Sequence, residues 1–387
     1  LGSACGYRVV SDGHVNERAA SRIERGIAAI RGLAFTKPVE MDVKRPEALR
    51  AYLVELLDQD YSPQDIRDLA RVYALFGLLP PDFDLREALL HLYTAQIAGF
   101  YDPRTHRLYL VDPPAADIPP SIEVLQFLLR RDLVGEMLLA HELTHALQDQ
   151  TSQVLAAADD PENDDRALAT RAVVEGDATL AGFAYTLGGL REEAILDLVD
   201  RLGAIPTEIA SVLPETPPIL REPLVFQYSQ GARFVAWAYL RGGWPAVDAL
   251  LRHPPASTEQ VLWPDRFFQH PDAPTRVGLG GLEDYRQGGK WRVLEENTLG
   301  ELHVRIQLAG LLNAERAEWA ARGWDGDRFA AFAQGAVAHL YWLSTWDSER
   351  DAREFFDAER EALGKRSAPE EIDASAELAS GAGASPW

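Results

Sequence analysis

The chain has 387 residues, enough for two or three domains, and 47% of them are hydrophobic, which allows a sizeable buried core. Its net charge of −22 repels phosphate backbones and argues against a nucleic-acid partner. No run of roughly 18 apolar residues occurs, so no transmembrane helix is expected. Lysine stands only at Lys37, Lys44, Lys290 and Lys365, so the 38 basic residues are almost all arginine, a compositional bias and not a binding patch.

In chain order, residues 1–14 hold the single cysteine, Cys5, in LGSACG. It can form no internal disulfide, and a zinc site in so cysteine-poor a chain must use histidine and carboxylate. Two readings of Cys5 stand side by side. Removal of a signal peptide would leave a lipid-modified cysteine here, making the protein extracytoplasmic, secreted or lipid-anchored, with a membrane attachment. The alternative is a chance terminal cysteine.

Residues 15–98 read as helices. RAASRIERGIAAIRGL, PEALRAYLVELL, PQDIRDLARVYALFGLL and DLREALLHLYTAQIA all repeat apolar residues at three-to-four spacing, interrupted at Pro80-Pro81. GFYDPRTHRLYLVD then reads as a β-hairpin over 99–111, with turn residues between two strand-like runs. Residues 121–151 are helical again and end in HELTHALQDQ. The acidic loop ADDPENDD precedes a further helix, ALATRAVVEGDATLAGFAYTL, and helices are expected over roughly 190–212 and 225–251. From about 290 strands and helices mix, giving a C-terminal α+β region over 286–365. The tail 366–387 is small and polar and reads as weakly structured. The expected class is α+β, predominantly helical, and no internal repeat is evident.

The chemistry concentrates in HELTHALQDQ. On a helix, i and i+4 share a face, so His141 and His145 point the same way and can bind one ion. Neutral imidazoles suit Zn²⁺. Glu142 is rotated by roughly 100° from His141 and flanks the ion, where a base acting on zinc-activated water belongs. A third histidine six residues on would fall at Thr151, and the glycine such sites use at 148 is Gln148, so that ligand pattern fails. A carboxylate on a following helix is the alternative. Glu175 stands thirty residues after His145 in the small, apolar stretch AVVEGDATLAGFA. A glutamate in a buried helix needs a partner, and a metal ion is one. Gly176 permits close helix approach, and Asp177 is the second candidate ligand.

His141-Glu142-Leu143-Thr144-His145-Ala146 with Asp149 four residues on, followed by a helical Glu175-Gly176-x-Ala178, resembles the gluzincin metallopeptidases, the thermolysin-like and aminopeptidase N-like enzymes. Tyr228-Ser229-Gln230-Gly231-Ala232, 53 residues after Glu175, is similar to their Y-x-x-G-A helix start, whose tyrosine bonds the tetrahedral oxyanion. The resemblance covers roughly residues 99–250. It implies a zincin-like catalytic domain over 99–285 with an edge strand, an active-site helix and a glutamate helix. It also implies one Zn²⁺ on His141, His145 and Glu175, a peptide or protein substrate, and an edge strand in the hairpin that pairs with it. The gap to Glu175 is longer than in either group. The upstream G-x-M-E-N strand that anchors a free amine is absent, because GEM at 135–137 lies in a helical run; an endopeptidase is therefore expected over an aminopeptidase. PPASTEQVLWPDRF and GWDGDRF are similar to stretches in uncharacterised bacterial proteins that carry HELTHALQDQ, and that likeness names no substrate.

The expected chemistry is hydrolysis, with Glu142 as general base and Tyr228 as oxyanion donor. Asp149 or Asp177 is expected to hold a ligand histidine by its other nitrogen. His253 and His270 are candidates for a second oxyanion donor, while His303 and His339 have no assigned role. Two other readings stay open: a zinc-stabilised scaffold or peptide-binding protein of peptidase ancestry, and a hydrolase of non-peptide amides or esters.

Overall fold

The computed structural model describes residues 8–96, 99–112, 126, 128–202, 215–287 and 289–366. Cys5, the tail beyond Arg366, and parts of the expected helices at 121–125 and 203–212 lie outside them. Helix accounts for 60% and strand for 14%, so the fold is α+β and predominantly helical, as expected. Among the described residues no helix is long and apolar enough to cross a membrane.

Three helices form the centre. The histidine helix, Leu133–Thr151, starts at Asp132, whose side chain accepts from Gly135 N and from Val9 N. The glutamate helix, Asp164–Leu187, starts at Asn163, which accepts from Arg166 N, and stops at Gly188, whose positive φ suits glycine. The tyrosine helix, Pro218–Arg252, leaves helical geometry at Gly242 and Gly243, just before Pro245. Its first helical turn lies ten residues before Tyr228, so Tyr228 sits inside the helix and not at the helix start that the Y-x-x-G-A resemblance led one to expect.

Two glycines set how close these helices come. A Cβ on Gly176 would collide with the Gly231 carbonyl, and one on Gly231 with the Ala172 carbonyl. The glutamate and tyrosine helices therefore touch backbone to backbone. Gly182, two turns along, faces Met137 and His141 of the histidine helix instead. Gly176 permits close helix approach as expected, and the helix it admits is the tyrosine helix.

On one side of this centre lies a three-stranded sheet in the order Glu40–Lys44, Arg107–Val111, Gly99–Asp102; the first pair is parallel and the second antiparallel. The hairpin is the one expected, and Gly99–Asp102 is its edge strand. The strand Glu40–Lys44 stands in a region expected to be mostly helical. Five residues are too few for a periodic signal, and the parallel partner lies more than sixty residues away. Leu108 and Leu110 pack with Leu139, Leu143 and Leu147 of the histidine helix and with Ile23 and Ile27 of the helix Glu17–Arg31. Val9 is buried in the same cluster, with Val10 packed against it.

On the other side, the helices Pro46–Asp60, Pro63–Leu75 and Leu85–Gln96 bury Leu57, Ile66, Leu85 and Leu90 against the glutamate and tyrosine helices. Beyond them an antiparallel sheet of Arg292–Asn297, Trp324–Gln334 and Val337–Trp346 packs on the helices Gly300–Ala309, Ala314–Ala321 and Glu349–Lys365. Val72 and Phe76, from the N-terminal helices, sit in that same core.

Candidate metal centre

The helix periodicity brings the histidines together as expected. His141 Nε2 and His145 Nε2 lie 3.0 Å apart. The glutamate helix delivers the third group: Glu175 Oε2 is 3.1 Å from His141 Nε2 and 3.5 Å from His145 Nε2. A tetrahedral ion with bonds of about 2.0–2.1 Å sets its ligand atoms roughly 3.3–3.4 Å apart, so the triangle has the size such an ion requires. Two nitrogens and one carboxylate oxygen are also the donor chemistry that zinc accepts. Asp177, the second candidate ligand, is fully buried but turned away. It faces Arg31, with Nε to Oδ1 at 3.1 Å, and Gln148, whose Nε2 donates to its Oδ2 at 2.9 Å.

Charge in the centre is strongly coupled. Burial raises the pKa of Glu175, but the imidazoles of His145 and His141 outweigh it and draw the carboxyl well below the usual range. Burial lowers His145, but Glu175 overrides that and lifts it to about 9. A carboxylate held ionised in the interior calls for positive charge at this spot, whether imidazolium or metal cation.

Glu142 lies beside the triangle and is 5% exposed. Burial raises its pKa, opposed by His141 and His145. The Tyr101 N–H of the edge strand donates to its Oε2 at 2.8 Å, so the strand that borders the site also fixes the candidate base. That outward N–H is committed to Glu142 and is not free for a paired strand. Tyr228 arrives from the third helix, with its ring centroid 6.1 Å from that of His141 and its hydroxyl donating to Glu175. The Glu175 charge, then burial, then Glu142 hold its pKa well above 10, so the phenol keeps its proton and remains a donor.

The expected supporting carboxylates are corrected. Asp149 Oδ2 accepts from Tyr101 Oη at 2.7 Å and lies 2.8 Å from His106 Nδ1. Asp149 thus faces the hairpin and ties it to the helix, because it shares the Glu142 face. The outer nitrogen of His145 meets Gln148 Oε1 at 2.9 Å, and Asp177 acts on that amide, not on the histidine. Sequence reasoning passed over Gln148. The available signal was position: three residues after a ligand histidine, a side chain shares its face and can reach its outer nitrogen.

His253 closes the tyrosine helix, and His270 N bonds Asp265 O. His303 is buried with Nδ1 2.8 Å from Leu299 O, and burial lowers it to about 4. His339 Nδ1 meets Tyr285 Oη at 3.0 Å. The residues of PPASTEQVLWPDRF and GWDGDRF build structure: Arg266 pairs with Glu259 at 2.7 Å, and Asp327 accepts from the N–H groups of Leu299 and Gly300 and from the Trp324 indole.

A family described as a domain of unknown function, DUF8575, matches residues 291–384, which include the C-terminal sheet and none of the residues at the candidate centre. No curated protein matches the chain. Among solved structures, the "crystal structure of a putative hydrolase with a novel fold from Chloroflexus aurantiacus" is similar, at 21% identity and a TM-score of 0.39, over 67% of this chain and 90% of that one. A likeness at that TM-score carries no argument about this chain.

Proposed function

We propose that the protein is a zinc-dependent metallopeptidase acting within peptide chains. The observation that carries this reading is the convergence of His141, His145 and Glu175 on one point, with the buried carboxylate of Glu142 fixed beside it. A zinc ion held by those three side chains supplies a Lewis acid that acidifies water and polarises the scissile carbonyl. Glu142 takes the proton and returns it to the leaving amine, and its burial raises its basicity for that task. The Tyr101 N–H keeps one Glu142 oxygen engaged and so holds the carboxylate's orientation. Tyr228 donates to the oxygen that gains charge, an interaction worth about 2.7–4 kcal/mol. A scaffold needs the three ligands but has no use for a buried, oriented base next to them.

The test is metal analysis of the purified protein together with a peptide-library digest of wild type and Glu142→Gln. About one zinc per chain is expected in both proteins, with equal thermal stability. Turnover is expected to fall by about 10²–10⁴-fold in the variant. Zinc-loaded wild type that cleaves nothing in a diverse pool, with the variant indistinguishable from it in peptide binding, removes the enzymatic reading and leaves the scaffold.

A further inference from the structure

We propose that Gln148 sets the tautomer of His145, and that a buried polar chain through Asp177 and Arg31 to Asp248 locks Gln148 in the orientation that does so. The consequence for metal affinity rests on the zinc reading above; the tautomer itself does not.

Gln148 is 2% exposed and makes three contacts. Its Nε2 donates to Val174 O at 3.0 Å and to Asp177 Oδ2 at 2.9 Å, and its Oε1 faces His145 Nδ1 at 2.9 Å. A side-chain amide has two N–H donors on one end and an acceptor oxygen on the other. A main-chain carbonyl and a carboxylate only accept. Turning the amide over would set its oxygen against both, so the nitrogen must face Val174 and Asp177. The oxygen must then face His145, and since it accepts only, Nδ1 must carry the hydrogen. In a neutral imidazole that leaves Nε2 bare, and Nε2 is the atom that faces His141 and Glu175.

The lock continues outward. Asp177 and Arg31 are both buried. Arg31 Nη2 donates to Asp177 Oδ2 at 3.3 Å, so the oxygen that faces Gln148 acts as an acceptor, while Nε lies 3.1 Å from Oδ1 as an ion pair without hydrogen-bond geometry. Arg31 Nη2 also bonds Asp248 Oδ1 at 2.7 Å, and its guanidinium lies 4.5 Å over the Trp244 ring. Arg31 ends the first long helix, and Asp248 and Trp244 follow the break at Gly242-Gly243. Two elements with no side chain in the triangle thereby hold one ligand. Gln148, Asp177 and Arg31 are positioning residues, because none touches the reacting atoms.

The experiment records the imidazole nitrogens of His145 by long-range ¹H–¹⁵N correlation in metal-free protein, and zinc affinity by chelator competition. Wild type, Gln148→Met and Gln148→Glu are compared, with denaturant unfolding of each. In wild type at a pH above the value of about 9 to which Glu175 lifts His145, the ring is neutral, and Nδ1 is expected to be protonated and Nε2 bare. Gln148→Met removes the acceptor at similar volume; the tautomer is expected to mix or switch, and zinc affinity to fall by about 10–100-fold. Gln148→Glu keeps an acceptor opposite Nδ1 and is expected to keep the wild-type tautomer even where the added charge near Asp177 lowers stability. A bare Nδ1 in wild type overturns the proposal, as does Gln148→Met with unchanged tautomer and zinc affinity. Wild type that shows the Nδ1–H tautomer but takes no zinc leaves the tautomer inference standing and removes the zinc reading.

Discussion

Glu175 and Glu259 are both glutamates on helices packed into the interior, yet the first is drawn below the ordinary carboxylate range and the second is pushed up to about 10. Burial acts on both in the same direction. What differs is what faces the oxygens. Around Glu175 stand two imidazoles whose inner nitrogens converge on one point. Around Glu259 stand Glu301 and a single guanidinium, Arg266, which also holds Asp272 at 3.0 Å and Asp347 at 2.6 Å. Asp165, at the start of the glutamate helix, and Asp327 spend their lone pairs on Thr258, Leu299 and Gly300. One region holds an ionised carboxylate among nitrogens that can share an ion. The other uses carboxylates to stitch loops, strands and helix starts together. Acidic residues alone, such as Asp272, Asp325 and Asp347, which also come within reach of one another, do not distinguish the two.

That contrast can be broken experimentally, and the largest effect is expected at the ligands. Glu175→Ala and His145→Ala should each lose bound zinc, or bind it far more weakly, and lose turnover with it. Glu259→Ala should leave zinc content unchanged, as read by metal analysis of all three proteins. Zinc retained in Glu175→Ala but lost in Asp177→Ala would move the third ligand to Asp177.

Next in size is Tyr228→Phe. It removes only the hydroxyl, and kcat is expected to drop by about 10²–10³-fold with zinc content preserved. Unchanged kcat would reduce Tyr228 to a packing residue.

A smaller, structural effect sharpens the role of helix approach. Gly231→Ala drives a methyl group into the Ala172 carbonyl, so the glutamate and tyrosine helices must part. Overpacking of this kind costs about 1–3 kcal/mol, and denaturant unfolding should show it along with weakened zinc binding. Weakened stability with zinc affinity intact would mean that the helix contact does not place Glu175.

The subtlest effect belongs to these structural carboxyls. Burial, opposed by the bonds from Thr258, pushes Asp165 up to about 8, and Glu301 likewise reaches about 7. Unfolded, such carboxyls titrate near 4. Between those values the folded protein keeps protons that the unfolded chain has lost. This stabilisation is therefore full below about pH 4 and fades as pH rises toward 8. Asp165→Asn mimics the protonated carboxyl and should flatten part of that decline in metal-free protein, as read from unfolding curves between about pH 5 and 8. An unaltered slope would show that Asp165 is ionised in the folded state.

Much of the candidate centre was legible because helix geometry is local. The four-residue spacing of His141 and His145 dictates a shared face wherever that helix packs, and the flanking position of Glu142 follows from the same rotation. Glu175 stood out as a charge in a small-residue helix that had to be buried. Asp149 misled because spacing alone does not say which face meets the hairpin. Gln148 was read only as the glycine it is not, since its function depends on Val174 and Asp177, which lie on another helix. The turns before Tyr228 were not expected, since the helix was read from about 225; Pro218 falls at the first helical position, where a missing N–H costs least, while Pro223 stands inside the helix.

By itself the sequence determined the helical elements, the hairpin, the α+β class and the pair of histidines, all of which follow from repeats over a few residues. Only tertiary structure decided the partners: that Gly176 and Gly231 let two helices touch, that Tyr101 N–H holds Glu142, that Arg31 reaches Asp177, and that the N-terminal helices share their cores with the central helices and the C-terminal sheet. Those contacts join residues far apart in the chain, and their energies depend on burial and on which lone pair or N–H faces which, quantities that no local spacing encodes.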